Sequence, residues 1–417
     1  MTNAVVDPQP ATGVNTGVAS SATKTTVGSL QDRILDNIPA AVNAAAMREF
    51  ARDLVAFQLA TVGKLLSSDA SASKPVISSE HGGDAIDSII STAPSTVVNL
   101  PAATRTTTIN SAPADWVAPS NRALQEAYEL ARFASAAYCA GNKKLSTWSC
   151  RRHCEPFKGQ VEVKGILGSA DETSARGFVA AVGEHPSVAD GKQIALVSVR
   201  GAADTHKWVH SLSTTPASHA VPGFPGDKDC AEEPRVHAYF YERIVNNIKD
   251  HAIALLSQLF LETQAPERPK QVYVVGHGLG AAGAVLLAIE LLHAQLDWLH
   301  GKTIKVFTYG SPRIGNPAFS RLVHRLVQSG QLQIARVTSG GDPVPSLPPR
   351  SLGYKHHAGR WLLLGSGASA HTLVAPNGSA IADAEQAEEG ADIGAWTPSS
   401  DPLAHLRAWN LWFGPYC

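Results

Sequence analysis

Residues 272–292 read VYVVGHGLGAAGAVLLAIELL. Val272 to Val275 form an unbroken apolar run, the pattern of a strand covered on both faces. Gly276, Gly278 and Gly280 then alternate with His277 and Leu279, which predicts a sharp corner. From Ala281 to Leu292 the chain is apolar except for Glu290, as in a helix buried on all sides. A strand that turns abruptly into a helix is where a Gly-x-Ser-x-Gly sequence exposes a nucleophilic hydroxyl. Here the middle residue is Gly278, which has no side-chain atom that can attack.

The flanking sequence repeats the strand-then-helix rhythm. QIALVSV (193–199), TIKVFTYG (303–310) and QIARVTS (333–339) read as further strands. ALQEAYELARFASAAYC (123–139) reads as a helix. So does YERIVNNIKDHAIALLSQLF (241–260), with Ile244, Ile248, Leu255, Leu256 and Leu259 on one face. Such alternation predicts an α/β fold, with a mostly parallel central sheet and helices on both faces. No internal repeat interrupts it.

The N-terminal third differs in character. Residues 1–28 are rich in Thr, Ser, Ala, Val and Gly without period, and are expected to be disordered. They contain no apolar stretch of the kind found in a secretory signal. Residues 29–66 carry apolar residues at helical spacing and are expected to form a helical segment. Residues 67–118 return to a linker composition, and 119–417 form the main domain. With 44% hydrophobic residues the chain can bury a sizeable core. A net charge of −1, with basic residues scattered, gives no electrostatic footprint for nucleic acid. The 281–292 run is too short and too interrupted to span a membrane.

The five cysteines are Cys139, Cys150, Cys154, Cys230 and Cys417. CRRHC (150–154) allows either a local disulfide or half of a metal site. A second ligand pair at zinc spacing is missing, so no metal and no cofactor is expected. Asn377-Gly378-Ser379 is a glycosylation sequon, meaningful if the chain enters the secretory pathway.

Downstream of the corner stand TYGSPRIGNPAF (308–319), DPVPSLPP (342–349) with Asp342 just past a strand, and AHLRAWNLWFG (404–414) with His405. A nucleophile position followed by Asp and then His is the chain order of an α/β-hydrolase triad. Together with SAAYC (135–139), VRG (199–201), VHAYF (236–240) and GYKHHAG (353–359), these motifs make residues 124–417 resemble the fungal class 3 lipases, the Rhizomucor–Rhizopus–Thermomyces type that also includes feruloyl esterases. The resemblance implies an α/β-hydrolase fold, with Asp342 orienting His405 and His405 acting as general base and acid. It implies an oxyanion hole from the N–H groups of Leu279 and Ala202, and a lid that begins after Ala202 and carries Trp208. His277 would flank the nucleophile, and His356 and His357 would be structural. Cys139 would bridge to Cys417 and Cys150 to Cys154, leaving Cys230 over. Such bridges belong to a secreted protein, and residues 1–118 would occupy the place of a pro-region. The implied partner is a lipid or ester substrate, met at a lipid–water interface.

The chain departs from that pattern at several places. Gly278 replaces the serine. Ala202 and Ser211 replace a polar pair that supports the oxyanion hole, and Tyr239 stands where a glycine is usual. Losing the serine from a triad costs about six orders of magnitude in turnover in a serine protease. The expectation is therefore a lipase-like protein of lipid metabolism with impaired or absent hydrolysis. Its alternatives are a non-catalytic lipid- or ester-binding protein and a feruloyl-esterase-like hydrolase.

Overall fold

The computed structural model describes residues 117–140, 143–168, 175–185, 188, 193–201, 216–221, 232–264, 268–364, 371–374 and 402–414. The expected segments 1–28 and 29–66, and nearly all of 67–118, lie outside these residues. So do Ala202, Trp208, Ser211, Cys230, Asn377 and Cys417.

Eight strands form one sheet in sequential order: β1 (Val161–Gly168), β2 (Ala175–Val182), β3 (Ile194–Val199), β4 (Gln271–His277), β5 (Ile304–Tyr309), β6 (Leu332–Ser339), β7 (Arg360–Leu364) and β8 (His371–Val374). Strands β3 to β7 run parallel, while β1, β2 and β8 are added antiparallel at the edges. Four longer helices cover it: α1 (Asn121–Ala136), α2 (Asn246–Glu262), α3 (Leu279–His293) and α4 (Pro317–Gln328). The α/β-hydrolase fold expected from the sequence is present.

The parallel strands are apolar on both faces because helices cover both. Val274 and Val306 look toward α2, α3 and α4, whereas Tyr273, Val275 and Phe307 pack with α1 residues Leu130, Phe133 and Ala134. The helix α1 starts where Ser120 accepts a hydrogen bond from the Ala123 N–H at 3.2 Å, a side-chain cap. It buries Ala127, Leu130, Ala131 and Ala134 on one stripe, and the predicted continuation to Cys139 is a tighter 3-10 turn. Buried on all sides, α3 keeps its one carboxylate, Glu290, satisfied by the Tyr241 hydroxyl at 2.5 Å and Lys249 Nζ at 3.6 Å. No helix among the described residues is long and apolar enough to cross a membrane.

The predicted helix 241–260 begins as a π turn over Tyr241–Val245 before α2 proper. Within α2, Ile248, Leu256 and Leu259 are buried and Leu255 packs partly against the same core. Tyr239, just ahead of the π turn, is half-buried against it.

Parallel register fixes where the loops meet. Val199 stands beside Gly276, and Gly276 beside Thr308, so the C-terminal ends of β3, β4 and β5 lie level. In open α/β sheets ligands bind outside those ends. VRG, GHGLG and YGSPRIG all leave the sheet there, and Asp342 follows the end of β6. A cavity of about 280 Å³ lined by Gln160, Lys164, Gln193 and Leu259 opens at the start of β3 and so belongs to the opposite end.

Candidate active site

Three glycines make the corner after β4, each for its own reason. A Cβ on Gly276 would lie 2.2 Å from the Gly280 carbonyl oxygen, and one on Gly280 would lie 2.3 Å from that of Val199. Both glycines let the start of α3 press on the strand ends. Gly278 adopts φ 57° and ψ −123°, a conformation costly to any residue with a Cβ. Its N–H donates to the Tyr309 carbonyl at 2.8 Å, which ties the corner to β5.

A side chain at 278 would point at His405. Its Cβ would stand 2.9 Å from His405 Nε2 and 3.4 Å from Cε1. On the other side of the ring, His405 Nδ1 lies 3.0 Å from Asp342 Oδ2 and 3.1 Å from Oδ1. With Nδ1–H donating to the carboxylate, the neutral ring carries its lone pair on Nε2, toward Gly278. Asp342 is held in turn by the Val344 N–H, 2.9 Å from Oδ1. Both side chains are about 1% exposed, so their attraction acts away from water.

Gly310 makes this pair fit. A Cβ there would lie 2.7 Å from His405 Nδ1 and 2.8 Å from Asp342 Oδ2, so any larger residue would split them. The sequence offered a clue to this role, a glycine directly after an apolar strand in TYGSP, but its purpose appears only in three dimensions.

His277 holds His405 from behind. Burial pushes its pKa well below the usual histidine value, and the neighbouring His405 adds to the shift. The neutral ring donates from Nε2 to the His405 carbonyl at 2.7 Å and accepts at Nδ1 from the Tyr138 hydroxyl, also 2.7 Å away. It stacks on Phe413 with centroids 4.0 Å apart. Tyr138 belongs to the SAAYC stretch, and burial raises its own pKa well above the usual tyrosine value. Gly201 permits the contact, since a Cβ there would lie 2.2 Å from the Tyr138 oxygen and 2.9 Å from the His277 carbonyl.

Leu279 is the first residue of α3, so its N–H is one of those a helix leaves without an intrahelical partner, at the positive end of the dipole. Gly201, immediately before Ala202, abuts the corner; Ala202 itself, the other expected donor, is outside the described residues. His356 and His357 are buried and neutral in character. His356 Nε2 donates to the Pro345 carbonyl at 2.8 Å and His357 Nδ1 to that of Ala358 at 2.9 Å. Desolvation depresses both, His357 to about 3. Neither takes part in the pair at Gly278.

Cys150 and Cys154 form a disulfide, so the sulfurs of CRRHC bind each other. Cys139 is disulfide-bonded, and its expected partner Cys417 lies outside the described residues. Among the described residues no three His, Cys, Asp or Glu side chains converge as metal ligands.

A buried Asp–His pair aimed at a strand-to-helix corner, on a mainly parallel sheet, defines an α/β-hydrolase scaffold. Residues 196–352 match the model of the lipase (class 3) family. Over 252 residues the chain is 29% identical to the secreted mono- and diacylglycerol lipase 2 of Gibberella zeae, covering 55% of this chain and 60% of that one. Over 242 residues it is 26% identical to the lipase of Rhizomucor miehei, covering 57% and 58%. The chain thus spans about three fifths of the length of these curated relatives. Lipase II from Rhizopus niveus shares the fold, with a TM-score of 0.54 and 22% identity, over 72% of this chain and all of that one. The lipase from Rhizopus microsporus var. chinensis does so at TM-score 0.55 and 21% identity, over 78% and 99%. The class 3 lipase match thus spans residues 196–352, and the fungal lipases are what the chain is similar to in sequence and fold.

Proposed function

We propose that this protein is a class 3 lipase-like ester-binding scaffold, built for acylglycerol or related carboxylic esters, whose hydrolytic turnover is lost at Gly278. The observation that carries this reading is the 2.9 Å between His405 Nε2 and the place of a Cβ on residue 278. The acid–base machinery aims at a residue with nothing to deprotonate. Acyl transfer through a triad needs an oxygen or sulfur nucleophile in hydrogen-bond reach of the base. Here Asp342 orients His405, and Leu279, with Ala202 as second donor, would bind a carbonyl oxygen. The relatives' names support acylglycerol-type esters ahead of feruloyl esters. The secreted relative and the disulfides support an oxidising, extracellular location. Trp208 would belong to a lid, Asn377 would carry a glycan, and residues 1–118 would act as a pro-region.

The test compares this chain with Gly278→Ser on short and long p-nitrophenyl esters. Hydrolysis should appear in the revertant at least about a thousandfold above this chain, well inside the loss known for a missing triad serine. A fluorophosphonate probe should label the revertant and leave this chain untouched. Equal hydrolysis by both, or labelling of a serine here, would show a different nucleophile and sink the reading.

A further inference from the structure

The cavity of about 280 Å³ at the far end of the sheet takes no part in the site at Gly278. It sits where β1 and β3 begin and where β2 and α2 end. Glu162 of β1 stands opposite Ala181 of β2, and Ala181 opposite Ala195 of β3. Residues paired across an antiparallel ladder share a face. This face carries α2, since Ala195 and Leu259 belong to one cluster and Ala181 packs against it. The small side chain of Ala181 leaves a hollow beneath the end of α2, between Leu259 and the strand ends. Leu259, Ile194 and Ala181 give the hollow aliphatic surface, and Gln160, Gln193 and Thr263 give it two amides and a hydroxyl. The charged wall residues, Glu162 and Lys164, pair with each other at 2.6 Å. Among the described residues no aromatic side chain lines the cavity, so it offers no platform for a base or a sugar ring. The last turn of α2 carries no basic side chain, and the final carbonyls of a helix accept hydrogen bonds without an intrahelical partner. The Gln160 amide oxygen is buried and, among the described residues, has no hydrogen-bond partner, an arrangement that costs free energy. Gln160 therefore gains when a donor enters the cavity and its amide turns to meet it.

We propose that this cavity binds a small, neutral, aliphatic polyol. A hydroxyl both donates and accepts, so it satisfies either end of an amide as well as a helix carbonyl. The paired charges of Glu162 and Lys164 favour a neutral ligand over an ion. A volume of about 280 Å³ lies just under the small end of ligand pockets, about 300 Å³, which suits a molecule of glycerol size. A polar hollow of this size is wet when no ligand fills it. A polyol reproduces the hydrogen bonds of several waters within one molecule, so it displaces them without losing their contacts. Its C–H groups meanwhile leave solvent against Leu259, Ile194 and Ala181. This binding is independent of the ester-binding reading, which concerns the opposite end of the sheet.

The experiment titrates glycerol into the full chain and reads binding by saturation-transfer NMR. The signal should saturate. Binding should weaken from glycerol to 1,3-propanediol to 1-propanol, as hydroxyls are removed from one carbon skeleton, and trimethylammonium should not bind. That order is read on the unaltered chain and is independent of how any variant folds. Gln160→Ala should raise the half-saturation concentration by about tenfold, the upper end for one lost hydrogen bond. Ala181→Leu should fill the hollow and abolish the signal. Thr263→Phe, at the rim and clear of the strands, should do the same. His405→Gln should leave the signal intact, which separates this cavity from the site at Gly278. Glycerol binding that does not saturate, that 1-propanol matches, or that folded Ala181→Leu and Thr263→Phe both retain overturns the proposal. Loss of binding in a folded His405→Gln overturns it as well. Tighter binding of trimethylammonium than of glycerol also overturns it, by showing a cation site.

Discussion

A serine at 278 would have to push His405 back, because a Cβ at 2.9 Å from Nε2 is closer than van der Waals contact allows. It would also have to adopt φ 57°. Both effects oppose the side chain, so Gly278→Ser should restore chemistry and lower stability together, by about 1–3 kcal/mol for the backbone conformation. Urea unfolding of both chains measures this, and a revertant more stable than the present chain would contradict it. Glycine at 278 thus keeps the turn free of that strain. The roles of Tyr138 and Gly310 were not legible in the same way. Tyr138 precedes Gly310 by more than 170 positions, and each acts through an atom that folding alone brings near: Tyr138 through the His277 ring, Gly310 through the Asp342–His405 pair.

Two elements, β4 and α3, carry the site, and their closeness depends on glycines. Gly280 lets the first turn of α3 rest on the main chain of Val199 and Arg200, the end of β3 that leads toward Ala202. Gly280→Ala would force a carbon to within 2.3 Å of the Val199 oxygen, a main-chain atom that cannot swing aside. We expect a loss of about 1–3 kcal/mol, as for other overpacked cores. In a Gly278→Ser background we expect a fall in esterase rate as well, because the helix start and the β3 end would separate. A thermal melt and a p-nitrophenyl ester assay read the two effects; an unchanged rate would mean that this contact does not set the site. Element identity was readable for β3 to β6, since strands covered on both faces are continuous apolar runs. The outer strands β1 and β8 and their neighbours β2 and β7 were not singled out. VEVKGILG and RWLLL mix charge, glycine and apolar residues, and β1 is only partly buried. Partner strands, more than local pattern, make such segments extended.

Across the whole molecule, buried neutral histidines couple the fold to pH. His277, His356 and His357 have folded pKa values below the ordinary histidine value of 6.5, chiefly through desolvation. The unfolded chain binds their protons first as pH falls, so it is the unfolded state that gains. Stability from these groups is full above 6.5 and is lost on acidification toward each folded value, about 3 for His357. Between pH 7 and pH 5 His357 alone should cost about 2 kcal/mol, at about 1.4 kcal/mol per pH unit below the unfolded value, and His277 and His356 add in the same direction. Urea unfolding at the two pH values checks this, and a flat profile would mean that the rings are protonated in the fold. The sequence by itself determined the strand-to-helix corner, the Asp-then-His order and the glycine at 278, because each is written in residue type and chain order. Only the tertiary structure decided that His405 Nε2 points at Gly278, that His277 and Tyr138 brace it, and that glycines at 201, 280 and 310 clear the way. Those facts depend on distances between residues far apart in the chain, and parallel strand register, which no local pattern encodes, sets those distances.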